Sequence, residues 1–184
     1  MNYQPPQAPP PPPKKGFPTW AIVLLSIVGV FVVVGPIVGV LMVYSVRKYL
    51  ANAKTAEARS ALAQIGLDAA TAYEKNHALC GSASSPVPAS MKMVTGTKYQ
   101  SAPAEWEVDG KRNAGFACLG FSMEMPQYFQ YSYSVSRANP NEFTAVAHGD
   151  LNGDGQVSTF LLRGTVQGGA LSIAPKIEET SPEE

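Results

Sequence analysis

Charge is scarce in this chain and unevenly withheld. Only 15% of its 184 residues are charged, and from Gly16 to Val46 there is none. Across typical soluble domains the charged share is nearer ~25%. The charges that remain cancel, with 14 Lys and Arg against 14 Asp and Glu. A nucleic-acid binder needs a basic surplus or stripe to meet phosphate, so the balance argues against that partner. Cysteine is nearly absent, with Cys80 and Cys118 alone. So distant a pair lacks the short spacing of zinc ligands, which leaves two buried thiols or one disulfide. Catalytic patterning is missing too. No Ser, Cys or Gly-rich motif for acyl or phosphoryl transfer occurs. His77 and His148 have no nucleophile or acid partner in any motif, so each reads as a surface or packing residue and no enzyme is expected.

What the chain does contain falls into four stretches. Residues 1–15, MNYQPPQAPPPPPKK, are too rich in proline for helix or central strand and read as a solvated polyproline II arm, a spacer. Residues 16–46 hold the apolar run WAIVLLSIVGVFVVVGPIVGVLMVYSV, longer than the ~20 residues a membrane-spanning helix needs. Trp20 and Tyr44 sit near its ends at headgroup level, and Lys14, Lys15, Arg47 and Lys48 flank it. A cleaved secretory signal has a shorter core and a small-residue cleavage site, so this run reads as an anchor that stays. Pro36, between Gly35 and Gly39, should kink or locally melt the helix near residues 32–36. An anchor upstream places the following domain in an oxidising compartment, which favours a Cys80–Cys118 disulfide.

Residues 47–177 read as one globular domain, followed by an acidic, frayed tail at 178–184. Leu50, Ala53, Ala58, Leu62, Ile65, Ala69 and Tyr73 recur at helical spacing, while Lys54, Glu57, Arg59, Asp68 and Lys75 lie mainly off that stripe. No break separates this helix from the apolar run, so one long helix is expected, apolar in its first half and amphipathic in its second. Residues 78–115 are irregular, with Pro86, Pro88 and Pro103, and Trp106 is the packing anchor among them. From Phe116 the period becomes two. FACLGFSME is a candidate strand. QYFQYSYSVS sets Phe129, Tyr131, Tyr133 and Val135 on one face, EFTAVAH sets Phe143, Ala145 and Ala147, and VSTFLLRGTV and GALSIAP supply further strands. The expected fold is α+β, a long N-terminal helix packed on a C-terminal antiparallel meander with one buried face.

This order of elements resembles the type IV pilins and their pseudopilin relatives. KKGF, Lys14 to Phe17, is similar to a prepilin peptidase site, which implies cleavage between Gly16 and Phe17. RKYLANAKTAEARSAL, Arg47 to Leu62, resembles the stretch after the membrane half of many bacterial pilins. FTAVAHGDLNGDGQVSTF, Phe143 to Phe160, resembles their late sheet region. The resemblance covers most of residues 14–173. It implies a pilin-like fold and a structural subunit of a pilus or pseudopilus, serving surface assembly, adhesion, motility or secretion. The implied partners are the lipid bilayer, like subunits or other pilins, and a prepilin peptidase. The implied location is the bacterial inner membrane, single-pass, with the C-terminal domain periplasmic or at the cell surface. The chain departs from the family in having Ala21 where the fifth mature residue is glutamate, Pro18 just after the cleavage site, and a proline-rich arm as leader. These departures suit a second reading, a non-assembling envelope protein that displays a sensor or binding domain. Arg47, Lys48, Lys54 and Arg59 outnumber Lys14 and Lys15, so the positive-inside rule alone would put the C-terminus inside. The cysteine pair and the resemblance favour outside.

One constellation could carry ligand chemistry. Asp150, Asn152 and Asp154 alternate with glycine at the sixth position, like the first half of an EF-hand loop, and Gln156 and Ser158 could add a carbonyl and a hydroxyl toward calcium. The twelfth position is Leu161 instead of a bidentate glutamate. The same residues equally suit a metal-free turn between two strands.

Overall fold

The computed structural model describes residue 16 and residues 18–182. The arm at 1–15, Phe17, and Glu183 and Glu184 of the tail lie outside the described residues, as do the side chains of Ala21, Tyr44, Arg47, Lys48 and Leu50. The chain divides into two units between Ser45 and Val46. Helix α1 (Thr19–Asn76) contributes residues to both.

In the first unit, Ile22–Met42 has a mean hydropathy of 2.8 and none of it is buried in protein. It is the one helix among the described residues long and apolar enough to cross a membrane. The melting expected near Pro36 does not occur, since helix runs unbroken through it. A proline removes one backbone donor, a single defect in a ladder of 58 residues.

The second unit packs the rest of α1 on a five-stranded antiparallel sheet. The strands are β1 (Gln130–Val135), β2 (Glu142–Gly149), β3 (Ser158–Gln167), β4 (Ala170–Ile173) and β5 (Glu178–Thr180). Their order is β1-β2-β3-β4, with β5 pairing β3. The expected alternation holds, with Phe129, Tyr131, Tyr133, Phe143, Ala145, Ala147 and Phe160 all buried. On α1, Ala58, Leu62, Ile65 and Ala69 are buried as expected. The stripe runs through Thr55, Ala61 and Ala72 instead of Ala53 and Tyr73, which are exposed and half-buried. These small side chains let the helix approach closely. A Cβ on Gly66 would lie 2.9 Å from Leu162 Cδ2 and 3.3 Å from Ile173 Cγ2.

Three further expectations need correcting. The segment FACLGFSME is not a strand. It holds the short helix α3 (Gly115–Leu119), which enters through Gly115 at φ 58° and ends on Gly120 at φ 74°. Positive φ suits glycine and interrupts extended backbone. The three-residue spacing of Phe116 and Leu119 then gives α3 one buried face, against Trp106, whose ring meets Phe116 and Phe121 edge-to-face. Trp106 itself closes helix α2 (Pro103–Trp106). Second, the Cys80–Cys118 disulfide forms as expected, but with Cys118 on a helix and not on the candidate strand it ties the segment after α1 to α3. Third, the acidic tail is not wholly frayed. Beyond β4 the outer edge of β3 would be unpaired, and Glu178–Thr180 fills it opposite Thr159–Leu161. Arg59 holds Glu179 bidentately at 2.8 and 2.9 Å, and Arg163 holds Glu178 at 3.0 Å. Pro175, which has no amide to donate, interrupts the two short strands.

The far edge of the sheet is also closed. Val87 and Tyr131 exchange amide bonds of 2.9 and 2.8 Å, and Ala83 N donates to Tyr133 O at 3.0 Å. The disulfide anchors this covering segment. Its sequence separation of 38 corresponds to roughly 3–4 kcal/mol in the chain-entropy account. Replacing both cysteines by alanine should lower the unfolding free energy by about that amount in denaturant titrations. Thiol labelling of unreduced protein from its native cells should find neither cysteine reactive. Labelling at both would mean that the bond is absent in the cell.

Candidate functional site

The acidic loop joins β2 to β3 and is organised around one buried carboxylate. Asp150 is only 2% exposed. Its Oδ1 accepts the Gly153 amide at 2.7 Å and its Oδ2 the Gly155 amide at 3.1 Å. Gly153 and Gly155 adopt φ of 79° and 92°, the conformations that curl both amides inward. Further along, Asn152 Oδ1 accepts the Asp154 amide at 2.9 Å, and Asp154 Oδ1 accepts the Gln156 amide at 2.8 Å. Asn152 Nδ2 donates to Asp154 Oδ2 at 3.1 Å. The loop is pinned from outside as well. Gly96 N donates to Asp150 O at 2.7 Å, and Lys54 Nζ on α1 donates to Leu151 O at 3.0 Å.

Of the five residues proposed from sequence for calcium, Asp150, Asn152 and Asp154 are therefore brought together and bonded to one another or to loop amides. Gln156 contributes its amide to that network. Ser158 is fully buried and opens β3 opposite Gly149. Among the described residues no group of three or more His, Cys, Asp or Glu side chains could hold a metal.

Beside the loop lies a carboxylate that sequence reasoning set aside as merely off the apolar stripe. Glu57 Oε1 accepts the Tyr128 amide at 2.7 Å and the Tyr131 hydroxyl at 3.3 Å, joining α1 to the start of β1. Burial pushes its carboxyl above the usual range, against the opposing pull of those bonds and of nearby Lys98. Lys54 and Lys98 place their ammonium groups 4.9 and 4.7 Å from the Tyr128 ring centre, within cation–π range. The signal in sequence was position. Glu57 lies between buried Thr55 and Ala58, at the border of the packed face.

Asp109, which is buried, acts in the opposite sense. Asp109 accepts the Ser84 amide at 2.7 Å and pairs with Arg112, and the Ser84 bond leads in holding its carboxyl below the usual range. It braces the segment that carries the disulfide. Asp109 adds stability above its unfolded pKa, lost as pH falls through the lower folded value.

Elsewhere, Gly16 is exposed, while Phe17, its partner in the cleavage motif, lies outside the described residues. His77 ends α1 at φ 51°. His148 is half-buried, 3.0 Å from Thr159 Oγ1, and burial lowers its pKa. An open cleft of about 470 Å³ is floored by Trp106, Phe116 and Phe121 and rimmed by Glu107 and Lys111.

Two measurements follow. Because burial raises the folded pKa of Glu57, the proton stabilises the fold. That stabilisation is complete below the unfolded pKa and is lost as pH rises through the folded value. Glu57→Gln keeps an acceptor for both donors and removes the charge. Its melting temperature should exceed the wild type's at pH 7, and the gap should close as the medium is acidified. A lower melting temperature at pH 7 would mean that the ionised carboxylate is itself stabilising. Asp150→Ala strands two inward amides and should cost about 2 kcal/mol or more, equally in millimolar calcium and in chelator. A wild-type melting temperature that rises with calcium would instead assign the loop to a metal. No family model, no curated protein and no solved structure matches this chain.

Proposed function

We propose that the chain is a membrane-anchored structural subunit of the type IV pilin or pseudopilin kind, held in a bacterial inner membrane by α1 and displaying its disulfide-bonded domain outside the cytoplasm. The observation that carries this reading is the double use of α1. One part of the helix is an uncharged, unburied apolar run, and another supplies the small residues on which an antiparallel meander packs. The opposite face of that second part supports assembly with other subunits. Ala53, Ala56, Ser60, Ala63 and Leu67 are exposed there, with no charge among them. Lys54, Glu57 and Arg59 turn to Leu151, Tyr128 and Glu179 of their own domain. Small residues allow helices to approach closely, so such a face suits a neighbouring helix. Under this reading the partners are the bilayer, like subunits or other pilins, and a peptidase acting at Gly16–Phe17. The domain works by packing and display, not by catalysis.

A second reading has its own support. Ala21 replaces the family's glutamate, so the run from Gly16 to Val46 lacks the acid that would pair with a neighbour's N-terminal amine, and Pro18 directly follows the cleavage motif. A non-assembling, single-pass display protein would retain the proline arm.

One experiment separates the two. The N-terminus of the protein from native membranes is sequenced, and mechanically sheared cell surfaces are sedimented. The assembling subunit begins at Phe17 and appears in the sheared filament fraction. An intact arm, with all protein in the membrane fraction, would transfer the assignment to the display protein. A reporter fused after Glu184 that is active only in the cytoplasm would defeat both.

A further inference from the structure

The acidic loop contains the chain's single Asn-Gly pair, Asn152–Gly153. Asparagine followed by glycine is chemically fragile, because glycine has no Cβ to hinder attack on the preceding side chain. In that reaction the Gly153 nitrogen gives up its proton and bonds to Cγ of Asn152. The C–N bond of the carboxamide breaks and ammonia leaves. Water then opens the cyclic imide to an aspartyl or an isoaspartyl residue, the latter lengthening the backbone by one carbon.

We propose that Asn152–Gly153 is a site of spontaneous deamidation that the folded domain holds closed with the two acids of its own turn. The nucleophile is occupied, since the Gly153 amide donates to buried Asp150 Oδ1 at 2.7 Å. The electrophile is held as well, since the Asn152 carboxamide bonds through its oxygen to the Asp154 amide at 2.9 Å and through its nitrogen to Asp154 Oδ2 at 3.1 Å. Attack requires both to let go and the side chain to swing onto the glycine nitrogen. The Asp150 carboxylate beside that nitrogen also disfavours the negative charge it acquires on losing its proton. The backbone before the pair cannot readily relax, because Gly96 N holds Asp150 O and Lys54 Nζ holds Leu151 O. Asn152 is exposed to the water that the second step consumes. Protection therefore comes from hydrogen bonding, not from burial. This gives Asp154, an exposed acid, a role that needs no metal.

The test uses the full chain in detergent micelles, incubated at mildly alkaline pH and followed by peptide mapping. The readouts are the mass gain at Asn152 and the isoaspartyl content of that peptide. Folded wild type should convert at least about tenfold more slowly than the same chain in guanidinium, the factor that breaking one charge-assisted hydrogen bond carries. Asp154→Ala removes an exposed side chain, and circular dichroism checks that the domain stays folded. It should speed conversion severalfold. Lys54→Met, which frees Leu151 without touching the turn's acids, should speed it as well. Equal rates in the folded and denatured wild type would overturn the proposal. So would folded Asp154→Ala and Lys54→Met proteins that both convert at the wild-type rate.

Discussion

The structure depends on how closely α1 can approach a sheet face made of large rings. Neighbouring strands alternate large and small side chains across that face. Tyr131 lies opposite Ala147, which lies opposite Phe160. Tyr133, Ala145 and Leu162 form the next row, and Val135, Phe143 and Gly164 the one after. Each large side chain thus leans over a small neighbour. The Phe143 ring covers Gly164 so closely that a Cβ there would sit 2.1 Å from it. Against this relief the helix offers Ala58, Ala61, Gly66, Ala69 and Ala72, with Leu62 and Ile65 filling between them. Cores are close-packed, so larger residues on the helix would have to push the sheet away.

Close approach also decides what the charged residues of α1 do. Lys54, Glu57 and Arg59 flank the packed face, and at this separation each reaches the sheet layer. Lys54 reaches a loop carbonyl, Glu57 an amide and a tyrosine hydroxyl, and Arg59 the carboxylate of β5. The second of these carries a desolvation cost that its bonds only partly offset. Asp109 is the contrast, since its acceptor oxygens meet an amide and a guanidinium and its ionised form is favoured. The contrast between Glu57 and Asp109 shows that burial by itself does not set the sign of a carboxylate's contribution; the donors around it do.

The same economy of polar groups runs through the loop after β2. Asp150, Asn152 and Asp154 resemble half a calcium loop because both tasks need oxygens converging on a tight turn. In this loop those oxygens accept the loop's own amides. The edges of the sheet are managed comparably. Residues 82–87 close the β1 edge, and β4 with β5 share the edge of β3, so among the described residues no long strand is left with unpaired groups on both sides.

By itself the sequence determined the elements that local periodicity encodes. The apolar run was legible from its length and lack of charge, the second half of α1 from Ala58, Leu62, Ile65 and Ala69, and β1 to β3 from strict alternation around Tyr131, Phe143 and Phe160. The disulfide was legible because only two cysteines exist in a chain with a long apolar run upstream. Only the tertiary structure decided the rest. The stretch around Cys118 alternates well enough to pass for a strand, yet glycines at positive φ and the Trp106 ring made it a helix. The tail at Glu178–Thr180 has the composition of a frayed end, yet a vacant edge of β3 and two arginines ordered it. Glu57 looked like a surface charge, because its partners, Tyr128 and Tyr131, are more than seventy residues away in the chain. Periodicity reports which face of an element is apolar, but pairing of polar groups depends on which distant atoms the fold brings within about 3 Å.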